Sequence, residues 1–109
     1  GTNVINVGVQ LVDAEGTDMA VRSSVLAYLS DDANGDSVVS AAPSGGWAIG
    51  TDGLLIATVA GKCGHLVSEA DGDIDINITH ATTAKTCYLV LVMPTGRLVV
   101  SGAITFAAD

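Results

Sequence analysis

Basic residues are scarce in this chain: four Lys and Arg stand against twelve Asp and Glu, a formal charge of −8. That balance repels phosphate backbones, because nucleic-acid affinity needs clustered Lys and Arg. There is no basic run to meet anionic lipid either. Aromatic residues are as few. Only Tyr28, Trp47, Tyr88 and Phe106 occur, so the core must be aliphatic. The longest purely apolar run, Cys87 to Met93, is far too short to cross a bilayer as a helix. Helical periodicity never exceeds one turn, and no internal repeat or low-complexity segment is present. Catalytic constellations are missing too. His65 and His80 have no partner at metal spacing and no serine in a nucleophile elbow. Gly61-Lys62-Cys63-Gly64 lacks the spacing and the following helix of a phosphate loop.

What the chain has in quantity is alternation. Apolar residues make up 49% of its 109 residues, enough for one domain, 1–109, with a single core. Asn3 to Asp13 reads as a strand, with Ile5, Val7, Val9 and Leu11 on one face. Asp13-Ala14-Glu15-Gly16 follows as a turn. Ser24 to Ser30 is the next strand. It carries Val25, Ala27 and Leu29 on one face and Leu26 and Tyr28 on the other, so it is covered on both sides or Tyr28 lies at an edge. Ser37 to Ala41, Trp47 to Ile49, Leu54 to Val59 and His65 to Ala70 read as further short strands. Ile74, Ile76 and Ile78 then alternate with Asp73, Asp75 and Asn77. A final hairpin runs from Cys87 to Met93 and from Arg97 to Phe106 across Pro94-Thr95-Gly96, with Leu98, Val100, Ile104 and Phe106 expected on one face. Gly102 inside that strand suggests a bulge or close packing, for instance against Trp47.

Seven to nine short strands with turns between them predict an all-β chain: an antiparallel, immunoglobulin-like β-sandwich. A jelly roll or small barrel is the alternative. Trp47 precedes both cysteines, so the Cys, Trp, Cys order of true immunoglobulin domains is missing. The chain starts at Gly1 and not Met, which points to a processed product, an excised domain or a fragment.

Three features resemble sites. Asp32-Ala33-Asn34-Gly35-Asp36 begins like a calcium loop, but Ser37 and Pro43 stand where the loop Gly and the bidentate Glu belong. The Asp31–Asp36 segment is therefore read as a turn, and no metal or cofactor is expected. Asp71, Asp73, Asp75 and Asn77 form an acidic row. Its members lie roughly 7 Å apart along a strand, too far to share an ion without another segment, so a solvated strand face is expected. Cys63 and Cys87 have neither zinc nor C-x-x-C spacing; a disulfide and two free thiols both remain open. No catalytic residue is assigned, and the chain is not expected to be an enzyme.

The segment Val7-Gly8-Val9-Gln10-Leu11-Val12-Asp13-Ala14-Glu15-Gly16, followed by Val25-Leu26-Ala27-Tyr28-Leu29-Ser30, looks like the opening of bacterial and phage Ig-like modules. Four segments (27–37, 49–56, 66–75 and 98–106) resemble a group of tailed-phage structural proteins, and the likeness runs over nearly the whole chain. Such modules often carry a small residue and Pro after the first turn, where this chain has Thr17-Asp18-Met19. The resemblance implies a virion component. Its form would be an Ig-like capsid decoration or head-fibre domain on the outer shell that binds the major capsid protein or another virion protein; a homotrimer is one assembly open to it. The alternative is a tail or fibre domain that adheres to host glycans or proteins through Trp47, Tyr28 and the Gly-rich loops. Against that alternative, Trp47 is expected to be a core anchor.

Overall fold

The computed structural model describes residues 2–12, 15–17, 20–81, 83–93 and 96–107. The expected turn at Asp13-Ala14, the Pro94-Thr95 breaker and the Asp18-Met19 departure lie outside them. Among the described residues nine strands form: β1 (Thr2–Gln10), β2 (Ser24–Ser30), β3 (Gly46–Ile49), β4 (Leu54–Val59), β5 (Cys63–Val67), β6 (Asp73–Ala81), β7 (Lys85–Val92), β8 (Leu98–Val100) and β9 (Ile104–Phe106). No helix occurs among the described residues.

The strands make two antiparallel sheets packed as a sandwich, consistent with the immunoglobulin-like architecture expected. The smaller sheet has the order β1-β6-β3. The larger runs β4-β5-β2-β7, with β8 and β9 both paired to β7. From β1 to β4 the chain changes sheet at every step, so each layer is tied to the other by its own connections.

Alternation drives the packing. Ile74, Ile76 and Ile78 of β6 are fully buried, and they meet Val25, Ala27 and Leu29 of β2, Leu66 of β5 and Cys87, Leu89 and Leu91 of β7. Ile5, Val7 and Val9 of the edge strand β1, and Leu11 just after it, pack on this core. Each fully buried Ile or Leu contributes about 1.5–3 kcal/mol relative to exposure. Trp47 is 7% exposed and sits opposite Ile78, so it is the core anchor expected. Its indole Nε1 is buried without a hydrogen-bond partner.

Three local expectations are corrected. Ser37–Ala41 is not a strand; it is loop, tethered where the Val39 N–H donates to the Leu29 carbonyl at 2.8 Å. The strand expected at His65–Ala70 begins earlier, at Cys63, and ends at Val67. Gly64 permits this shift, because a Cβ there would lie 2.6 Å from the Ile56 carbonyl of β4. The last strand is broken in two. Val90 pairs Val100, yet Cys87 pairs Ile104, so one extra residue is inserted between β8 and β9. That bulge flips the faces. Ile104 and Phe106 enter the core, while Leu98 and Val100 face the outside of the larger sheet. Ser101 holds the break: its N–H donates to the Leu89 carbonyl and its Oγ accepts the Leu89 N–H, both at 2.9 Å. Gly102 is thus part of a bulge, and nothing approaches the place of its missing Cβ.

Candidate functional site

The two outer faces of the sandwich differ in chemistry. On the smaller sheet the outward positions of β1 and β6 are Val4, Asn6, Gly8 and Gln10 paired with Thr79, Asn77, Asp75 and Asp73, polar except at Val4. On the larger sheet the outward row is Ile56, His65, Leu26, Val92 and Leu98, each opposite the next across five strands. Beside it lie Leu54, Val67 and Ser24. Ile56 is 53% exposed, Leu54 48%, and Leu26 and Leu98 40% each. His65 is the single titratable side chain in these rows. Scattered apolar residues on a surface need no explanation, but a contiguous five-strand band does.

Alternation explains how β2 came to be apolar on both faces. Val25, Ala27 and Leu29 point into the core, so Leu26 and Tyr28 must point out. Tyr28 is then covered by its own loop. Residues 31–38 fold back over it, and the Tyr28 hydroxyl donates to the Gly35 carbonyl. A Cβ on Gly35 would lie 3.2 Å from Val90 and 3.3 Å from Val100. Val90 is fully buried beneath this loop, although it faces away from the main core. Burial, and then the nearby Asp36 charge, push the Tyr28 phenol above its usual range, so it stays a donor. The loop forms a raised rim at one end of the open apolar rows.

The acidic loop is occupied with itself. Asp32 Oδ1 accepts the Asn34 N–H at 3.0 Å, and Asp31 Oδ2 accepts the Ser40 N–H at 2.9 Å and the Ser40 hydroxyl at 3.1 Å. The Ser40 backbone bond is the main reason that Asp31 is held below the ordinary carboxylate range. No three His, Cys, Asp or Glu side chains among the described residues are grouped to hold a metal ion.

The acidic row of β6 is more than a solvated face. Asp75 Oδ1 accepts the Thr51 N–H at 2.9 Å and the Asn6 amide at 3.1 Å, while Oδ2 accepts the Asp52 N–H at 2.7 Å. These bonds lower the Asp75 pKa, that from Asp52 most, and they clamp the 50–53 turn onto β6. Gly50 is obligatory in the clamp, because a Cβ there would sit 2.0 Å from Asp75 Oδ1. The Asp52 carboxyl moves the other way. A side-chain hydrogen bond with Asp73 raises its pKa, and the charges of Asp73, Asp75 and Glu69 add to the rise. Nothing in the sequence pattern reveals this clamp, since residues 50–53 and 75 meet only across strands.

Cys63 and Cys87 are free thiols on opposite sides of the larger sheet. Cys63 is outward beside Tyr28, and Cys87 is buried in the core. Burial pushes the Cys87 thiol up. His80 accepts the Ser44 N–H on Nδ1 at 3.0 Å, which leaves Nε2 to donate to Thr83 Oγ1 at 2.9 Å. It is a structural tie. No helix of the described chain is long and apolar enough to cross a membrane. No known family model, curated protein or solved structure matches the chain.

Proposed function

We propose that this chain is a non-enzymatic virion structural domain, an Ig-like capsid decoration or head-fibre domain that docks on the outer surface of a tailed-phage major capsid shell. The observation that carries the reading is the exposed apolar row of the larger sheet, set opposite a polar face that includes Asp73 and Asp75. Docking by the apolar face would turn that carboxylate-bearing face outward. The host-adhesion alternative loses its platform, because Trp47 is in the core and Tyr28 lies under the 31–38 loop.

Magnitudes favour attachment in many copies. A five-strand row and the three-strand row beside it, with ~4.8 Å between strands and ~7 Å between rows, give a footprint of about 270 Å². Burying it yields roughly 7 kcal/mol at about 25 cal/mol per Å². Association costs on the order of 4–15 kcal/mol, so one copy alone is weakly held. Linked or repeated copies raise the effective affinity without new contacts.

The test is co-sedimentation of the purified protein with undecorated shells at physiological salt. Saturable binding that Leu26→Glu abolishes supports the reading. Protein left wholly in the supernatant over shells of the phages that encode such modules removes it.

A further inference from the structure

The two layers of the sandwich are unequal. The smaller sheet is three strands wide and the larger is five, so the smaller one ends at β1 while β8 extends beyond it. Val99 shows the consequence. It pairs with Leu91, which faces the core, yet Val99 is 41% exposed. Beneath it runs an apolar groove with two hollows, of 240 Å³ and 430 Å³, that share Gln10, Leu91 and Val99. Val7, Val9 and Leu89 line one hollow; Leu11, Met93 and Arg97 line the other.

One wall of this groove is the free edge of β1. Among the described residues β1 pairs only with β6. It is nine residues long, with no charge and no Pro, and its register with β6 runs without a bulge. Edge strands are ordinarily blunted by those devices or covered, because their unpaired N–H and C=O groups invite another strand.

We propose that the β1 edge and the groove under β8 receive an extended segment of a partner protein by antiparallel strand addition. The segment would make the smaller sheet four strands wide. Every second side chain would point into the groove, which asks for Val- or Ile-sized aliphatic residues at alternate positions. Among the described residues Arg97 is the one charged residue lining the groove, at the end beside Gln10 and Leu11. An antiparallel segment has its N-terminal end there, so a carboxylate at that end completes the fit. A second folded copy is a worse occupant. Its β1 carries its own covering larger sheet, which would collide with the overhanging β8. This surface is separate from the outward apolar rows and does not rest on them.

The experiment titrates the full chain with the synthetic peptide Asp-Val-Thr-Val-Thr-Val-Thr, followed by amide NMR shifts and hydrogen exchange. Saturable shifts at Val7, Val9 and Val99, with alternate β1 amides slowing at least tenfold, are expected. A peptide with Pro at its central position should bind at least tenfold more weakly, since it cannot complete the ladder. Val99→Glu should abolish peptide binding with the thermal midpoint nearly unchanged, and Leu26→Glu should leave it intact. No shifts at millimolar peptide, shifts confined to the outer rows, or concentration-dependent self-association through β1 would overturn the proposal. Shell co-sedimentation reads the other surface, so the two readings fail independently.

Discussion

The Tyr28 hydroxyl donates a 2.5 Å hydrogen bond to the carbonyl of Gly35, seven residues along the chain. This bond pins the acidic loop over Val90 and fills one end of the outer sheet face. Tyr28→Phe keeps the ring and leaves the carbonyl without that donor. A loss of about 1–2 kcal/mol in unfolding free energy is expected from urea denaturation. An unchanged midpoint would mean that the loop is held by contacts alone.

Gly35 and Gly16 separate backbone strain from crowding. Both have positive φ, +74° and +84°, but a Cβ meets three atoms within 3.3 Å at Gly35 and none within 4 Å at Gly16. Gly16→Ala should cost about 1 kcal/mol from conformation alone. Gly35→Ala should cost about 2 kcal/mol or more, because the loop must lift from Val90. Equal losses in parallel melts would contradict the packing described.

Ser101 stands in for a strand partner at the bulge. Its Oγ accepts the Leu89 N–H at 2.9 Å. Ser101→Ala leaves that buried donor unpaired and should cost about 1–3 kcal/mol. Ser101→Thr retains the acceptor and should recover most of the loss, as measured by chemical denaturation.

The Asp75 clamp makes stability depend on pH. Its folded pKa is depressed by the Asp52 and Thr51 N–H groups, so its contribution is present above the ordinary carboxylate range and lost as pH falls through the depressed value. Asp52 has the opposite sign: its raised pKa favours the fold while it is protonated, and that gain is withdrawn as pH rises through the raised value. Asp75→Asn should therefore be less stable than the parent at pH 7, with the gap closing below about pH 4. Asp52→Asn should be at least as stable as the parent at pH 7. Urea midpoints from pH 2.5 to 7 check both, and a gap for Asp75→Asn that stays constant with pH would rule the clamp out.

Leu26 and Ile56 are exposed at 40% and 53%, so Glu at either position should change stability by less than about 0.5 kcal/mol. The same substitutions should cut shell binding at least tenfold. Variants that fold normally and still co-sediment would show that the outer rows of the larger sheet are not the docking surface.

Much of the fold was legible from side-chain period alone. Ser24–Ser30 and Leu54–Val59 are strands with the boundaries that the sequence implies. Ile74, Ile76 and Ile78 face inward as their alternation with polar residues requires. Where both faces of a strand are apolar, period cannot say which one is covered. That is the case for β2; in the last two strands a single inserted residue reverses inside and outside. The outward apolar row was illegible because Leu26, Ile56, Val92 and Leu98 lie on four separate strands and form a row only through register.

By itself the sequence determined that this chain is all-β, aliphatic in its core and acidic overall, because composition and a two-residue period are local properties. Tertiary structure alone decided which sheet stays apolar on its outer side, that Asp75 clamps the 50–53 turn, and that a three-stranded sheet faces a six-stranded one. Those outcomes depend on pairings between residues far apart in the chain, and pairing is chosen by the packing of the whole.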